Sequence, residues 1–193
     1  MDTLVFIDSG FLSKLSRYFG GGKYLVYDII KFSENIANRE NLEYKKIFYY
    51  TAPPFQSNNP TLEERNRRDK YDKFIKKLSR NNKIIIKEGR CQKINSGKYK
   101  LFSQKAVDSL MIIDIMSLPL KYKEIKKIIL IACDSDFVPV VNEIKRSDIE
   151  VILFTYFTKK RNTNFSRSND LIKSVSKYVL LSKQDFENAP LIK

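Results

Sequence analysis

Five short apolar runs recur along the chain: Thr3 to Ile7, Lys45 to Thr51, Lys83 to Lys87, Lys127 to Cys133 and Glu150 to Phe154. Each is β-branched or aromatic and bounded by charged or turn-forming residues, the pattern of strands buried on both faces. Between them, apolar positions repeat at helical spacing. Tyr27 to Asn38 is one such stretch, and Thr61-Leu62-Glu63-Glu64 is a capping box that opens a helix running to about Arg80. Tyr71, Phe74, Ile75 and Leu78 form its expected buried stripe. Gln104 to Leu118 carries Val107, Leu110, Met111, Ile115 and Leu118, and Phe137, Val140, Val141 and Ile144 repeat the spacing. Both helices are expected to pack on the sheet. Tyr178 to Leu181 adds an edge strand, and Asn95-Ser96-Gly97-Lys98 reads as a hairpin turn at the sheet edge. Strands alternating with helices predict an α/β fold around a mainly parallel sheet. At 193 residues, without repeat or linker, residues 1–193 read as one domain.

Charge narrows the partners. With 36 Lys and Arg against 22 Asp and Glu, the net charge is +14, a field that attracts polyanions, nucleic acid first and an anionic membrane surface second. The absence of His removes Ser-His-Asp and Cys-His triads, His-ligated zinc and imidazole bases together. Cys91 and Cys133 are the only cysteines and lack a Cys-x-x-Cys spacing, so neither a zinc knuckle nor a disulfide framework is expected. No basic region precedes an apolar core at the N-terminus, and no run approaches a membrane span. The expected setting is a reducing cytoplasm, with no membrane partner.

The chemistry sits in acids at strand ends. Asp8 follows the first strand, Asp134 follows the Ile128 to Cys133 run, and Asp136 stands two residues later at a helix start. Ligands of open parallel sheets bind beyond the strands' carboxyl ends, so these three are expected to converge. Asp136 alone also fits a helix N-terminal cap. In the helix opened by Gln104-Lys105-Ala106-Val107-Asp108, the wheel sets Asp108 at the rim of the apolar stripe and Asp114 near its centre. Asp114 is therefore either hydrogen-bonded near the site or at a helix edge. Gathered carboxylates need a cation among them, and Mg²⁺ or Mn²⁺ suits an all-oxygen site. Beside a basic surface, that pattern points to metal-assisted attack on a phosphate-rich substrate.

Phe6-Ile7-Asp8, Tyr49-Tyr50-Thr51-Ala52-Pro53-Pro54, Gln104-Lys105-Ala106-Val107-Asp108 and Asp134-Ser135-Asp136-Phe137-Val138-Pro139 together resemble the NYN domain, in the family's order and over roughly residues 3 to 181. The resemblance implies a PIN-like three-layer α/β/α sandwich and a metal-dependent ribonuclease, endonucleolytic in action, using Mg²⁺ or Mn²⁺ on RNA. It places Asp8, Asp108, Asp134 and Asp136 at the family's acidic positions, as catalytic residues and metal ligands, with Asp114 as a fifth. The chain departs from the family in four places: Ser9-Gly10-Phe11 stands where Gly and then Asn follow the first aspartate, Ala106 where Gly is common, Cys133 where Gly or Ser precedes the acid pair, and Lys177 where a late acid is frequent. Those changes keep an alternative open, a catalytically impaired RNA-binding or regulatory module.

Residues 61 to 105 hold 15 Lys or Arg and 5 Asp or Glu, a net +10. Arg65, Arg67, Arg68 and Lys105 are expected to contact RNA phosphates, although a charge run is also the ordinary composition of a solvated helix face. Lys159, Lys160 and Arg161 form a second basic segment near the strand ends, expected to flank the same strand. Tyr99 and Phe102 are placed to stack on unpaired bases or to pack on the sheet. Gly20-Gly21-Gly22-Lys23 lacks the spacing and hydroxyl of a phosphate loop and reads as a turn. Monomer and homo-oligomer both remain open.

Overall fold

The computed structural model describes residues 1–96, 99–158 and 165–191, with the side chains of 95–101 undescribed. Six strands form one parallel sheet in the order β3-β2-β1-β6-β7-β8. They are β1 Asp2–Asp8, β2 Glu43–Thr51, β3 Ile84–Glu88, β6 Lys127–Ile131, β7 Glu150–Thr155 and β8 Lys177–Leu180. β4 Arg90–Ser96 and β5 Tyr99–Lys105 pair antiparallel as a separate two-stranded arm. The expected turn at Gly97 and Lys98 lies outside the described residues.

Strand pleating alternates which face each residue meets. Val5, Ile7, Ile47, Tyr49, Ile129 and Ile131 face one apolar layer with α1 Ser9–Phe19, α2 Ile29–Arg39 and α8 Lys183–Glu187. Leu4, Phe6, Phe48, Tyr50, Ile128 and Leu130 face the opposite layer with α4 Val107–Met116, α5 Leu118–Lys121, α6 Val138–Lys145 and α7 Asn169–Ser174. Burial on both sides explains why the strands are continuous apolar runs rather than alternating ones. The chain walks outward from β1 through β2 to β3, then returns to β6 and walks the other way. Right-handed crossovers therefore put the helices of the two walks on opposite faces, giving the three-layer α/β/α sandwich.

Two expectations change. The helix expected from Gln104 begins only at Val107, because Arg90↔Lys105 and Cys91↔Gln104 pairing holds Gln104 and Lys105 in β5. Ala106 then turns the chain at φ 67°, and Pro119, in the first turn of α5, restarts the helix after a break at Ser117. The stripe of α3 (Leu62–Leu78) is not core either: Leu78 is buried, Tyr71 and Ile75 are half-buried, and Phe74 is 40% exposed. α3 meets the sheet at its edge, Tyr71 donating to Glu88 of β3 and Phe74 lying against Tyr49 of β2. The capping box at Thr61 and Glu64 forms as expected. Gly21 and Gly22 take φ of 63° and 96° and close α1 as a turn.

Candidate active site

The strand order reverses between β1 and β6, and Asp8 and Asp134 stand where those two strands end. Asp8 also caps α1, its Oδ1 accepting the N–H of Gly10 at 2.8 Å and of Phe11 at 3.2 Å. Asp134 Oδ1 accepts the N–H of Asp136 at 3.0 Å, so the short 3₁₀ turn Ser135–Phe137 leading into α6 is capped by Asp134 and not by Asp136. Asp108 comes in from the first turn of α4. An open cleft of about 1110 Å³ is lined by Asp8, Asp108 and Asp134 among others.

These acids act on one another. Burial raises the Asp8 carboxyl from 3.8 to about 6, with the Asp108 charge adding to the rise and the two backbone N–H bonds opposing it. The Asp108 carboxyl is raised by burial and then by Asp134 and Asp136. Burial, followed by Asp8, Asp134 and Asp108, pushes the Cys133 thiol up to about 12, so it stays a neutral thiol. Burial is the main cause of both carboxyl rises, and the neighbouring acids add to it although the molecule carries a net charge of +14. Lys14 of α1, also in the cleft, opposes the rise at all three groups. The donors are carboxylate oxygens without imidazole, which suits a hard divalent cation in kind. Among the described residues no three His, Cys, Asp or Glu side chains stand together at ligand spacing, so the acids frame an open mouth rather than a closed cage.

Asp114 is not brought to that mouth. Six residues along α4 from Asp108, about 9 Å further down the helix axis, it accepts the Tyr50 hydroxyl at 2.8 Å and lies 3.7 Å from Lys87 Nζ. Its surroundings are those of the hydrogen-bonded alternative, satisfied by β2 and β3 rather than facing the other acids. Burial and then Asp114 raise the Tyr50 hydroxyl far above the usual range, which keeps it a donor.

A model of the NYN domain matches residues 2–182. The chain belongs to the NYN domain family. No curated protein matches it. A crystal structure of a protein of unknown function from Vibrio parahaemolyticus RIMD 2210633 is similar in fold, with TM-score 0.58 and 18% sequence identity, covering 96% of this chain and 94% of that one. NYN domains are typically nucleases related to the PIN group; they generally act on RNA and use divalent metals.

The departures from the NYN pattern acquire physical reasons. Ala106, where Gly is common, holds φ 67°, a left-handed conformation that glycine adopts freely and alanine does not. Gly89 lies so close beneath this turn that a Cβ there would stand 2.4 Å from the Lys105 carbonyl oxygen. Phe11 turns into the core, 2% exposed and edge-on to Phe165, so only its backbone serves Asp8. Ser9 is buried at the edge of the same cleft, and its side chain hydrogen-bonds to Tyr49. The polar group beside Asp8 comes instead from β5: a Cβ on Gly10 would stand 3.1 Å from both Asp8 Oδ1 and Gln104 Oε1. Lys177, at the start of β8, ion-pairs with Glu40 at 2.7 Å, at the opposite end of the parallel strands.

Of the basic residues, Arg67 lines the cleft and Arg65 is exposed. Arg68 is bound by Asp72 at 2.9 Å and 3.0 Å. Lys105 ends β5, exposed, beside the α4 turn. Lys159, Lys160 and Arg161 lie outside the described residues. Lys14, Arg17 and Gln104 are cleft residues that sequence reasoning missed. The i, i+3 spacing of Lys14 and Arg17, opposite the Phe11, Leu12 and Leu15 face of α1, is the signal that places both cations on its solvent side. No described helix is long and apolar enough to cross a membrane.

Proposed function

We propose that this NYN domain is a metal-dependent endoribonuclease whose site is Asp8, Asp108, Asp134 and Asp136. One observation carries the reading: three of these acids line one cleft at the reversal of the sheet, where burial, and then Asp108 acting on Asp8 and Asp134 and Asp136 acting on Asp108, raises the carboxyls of Asp8 and Asp108 inside a strongly basic protein. Such repulsion is destabilising unless a cation is meant to bind there. The chemistry supplied by bound Mg²⁺ or Mn²⁺ is charge compensation at the scissile phosphate and a water more easily deprotonated. Asp8, Asp108 and Asp134 of the cleft, with Asp136 beside them, would hold the cation, and Asp8, whose carboxyl is raised to about 6, would bind it as the carboxylate. The α1 N-terminal amides fix the Asp8 rotamer through their bonds to Oδ1. Lys14, whose charge acts on Asp8 and Asp108, meets a non-bridging phosphate oxygen, while Arg67 and Arg17 of the same cleft hold flanking phosphates.

Incubation of end-labelled single-stranded RNA with Mn²⁺ or Mg²⁺, and with chelator, tests this. Metal-dependent internal cleavage, lost in Asp134→Asn while RNA binding persists, is the expected result. Intact RNA with either ion, bound but uncut, overturns it in favour of a second reading, a non-cleaving RNA-binding module. Two observations favour that module: Phe11 contributes no polar side chain to the site, and no three described acids stand at ligand spacing.

A further inference from the structure

Five aromatic side chains are strongly exposed among the described residues, Tyr18, Tyr24, Phe74, Phe102 and Tyr178. Three of them, Tyr24, Phe74 and Phe102, line the cleft that holds the acids. Exposed aromatic rings scattered at random need no explanation, but rings gathered over a charged cleft do. Arg67, Tyr71 and Phe74 fall on one face of α3 at i, i+4 and i+7, and all three line the cleft. The β4–β5 arm adds Phe102 to the same cleft, 48% exposed, its ring supported by Phe55 with centroids 5.6 Å apart. Phe74 is backed in the same way by Tyr49 at 6.1 Å and remains 40% exposed.

We propose that this wall is a stacking site for the bases of an unpaired RNA strand, with Phe102 and Phe74 as platforms and Arg67 holding the backbone between them. The proposal deepens the ribonuclease reading by naming the form of RNA that the cleft takes. Aromatic platforms backed by a second ring, interleaved with cations, are the recognition chemistry of single strands, because every base has a π-face and every nucleotide a phosphate. A duplex hides those faces in its own stack and presents shape and phosphate alone. The cleft, about 1110 Å³ and open, leaves room for a polymer to cross it. The cations Lys14, Arg17 and Arg67 line the same cleft and complement a polyanion.

The chain contains no Trp, so Phe102→Trp installs a single fluorescent ring at the platform. Titration in chelator with a short single-stranded RNA is expected to quench that emission, and the same sequence as a blunt duplex is expected to leave it unchanged. Phe102→Ala and Phe74→Ala, their fold verified by thermal melts, are each expected to weaken single-strand binding about 5- to 100-fold and duplex binding less than twofold. Absent quenching, or equal losses for both RNA forms, overturns the proposal. Unchanged RNA affinity in both alanine variants also overturns it. Cleavage plays no part in chelator, so a protein that binds in this way without cutting refutes only the nuclease reading, and one that cuts without stacking refutes only this one.

Discussion

The two ends of α4 carry two carboxylates with opposite fates. Asp108, in the first turn, has acids for neighbours, and burial with Asp134 and Asp136 raises its carboxyl. Asp114, near the last turn, has the Tyr50 hydroxyl at 2.8 Å and Lys87 at 3.7 Å. One end is frustrated and the other satisfied. An acid supplied with its own donor and cation holds the fold together, whereas an acid whose neighbouring acids outweigh the one cation that opposes them, Lys14, is destabilising until a further cation arrives. Composition does not separate the two; their neighbours do.

The most severe test of that contrast is cleavage. Asp108→Asn is expected to reduce metal-dependent turnover on single-stranded RNA at least a hundredfold, with metal-free melting unchanged or higher, since it removes a repelled charge. Asp114→Asn is expected to keep turnover within about threefold, because its surroundings lie off the cleft. Turnover lost equally in both variants would erase the distinction between the two ends.

Next in size is the pH dependence of the metal-free protein. Folding raises the Asp8 carboxyl from 3.8 to about 6, so its proton is held more tightly folded than unfolded. The stability this contributes is fully present below pH 3.8 and is lost as pH rises through about 6. Chemical denaturation in chelator should therefore show Asp8→Asn gaining on wild type across that window by on the order of 2–3 kcal/mol. Asn retains the cap acceptor for the Gly10 and Phe11 N–H groups. A pH-independent difference between the two proteins would contradict the burial of Asp8, and with it the smaller contribution of Asp108, as the cause of its raised carboxyl.

At the satisfied end, Asp114→Ala leaves the Tyr50 hydroxyl unpaired against the core and is expected to cost about 1–3 kcal/mol in urea denaturation. Tyr50→Phe in the same background should recover part of that loss, since no stranded donor remains. Equal stability of Asp114→Ala and wild type would leave the Asp114 end as idle as a surface residue. The smallest effect belongs to the turn before Asp108. Ala106→Gly relieves a left-handed alanine and is expected to stabilise by roughly 0.5–1 kcal/mol, net of the entropy cost of glycine. Destabilisation instead would mean that the alanine methyl packs usefully against its neighbours.

How much of this was legible beforehand depends on how local the deciding physics is. The strands were visible because burial on both faces makes each a short apolar run. Asp8 and Asp134 were readable as partners because the reversal rule for parallel sheets brings adjacent strand ends together. Gln104 was misread as helical because its pairing partner, Cys91, lies across a hairpin. The α3 stripe was misread for a related reason: helical spacing names a face and cannot say whether a sheet lies beneath it. Lys14 drew no notice because a lysine on a helix surface is the commonest of residues until acids gather opposite it.

By itself, then, the sequence determined the α/β architecture, the parallel strands, the family motifs and the acids at the strand ends, since each follows from residue type and short-range spacing along one element. Tertiary structure alone decided which acid of α4 meets Tyr50 and which meets Asp8, and which aromatic rings of α3 and the hairpin remain exposed over the cleft. The physical reason is that desolvation, charge repulsion and hydrogen-bond satisfaction act across space between distant segments, at distances that residue order does not encode.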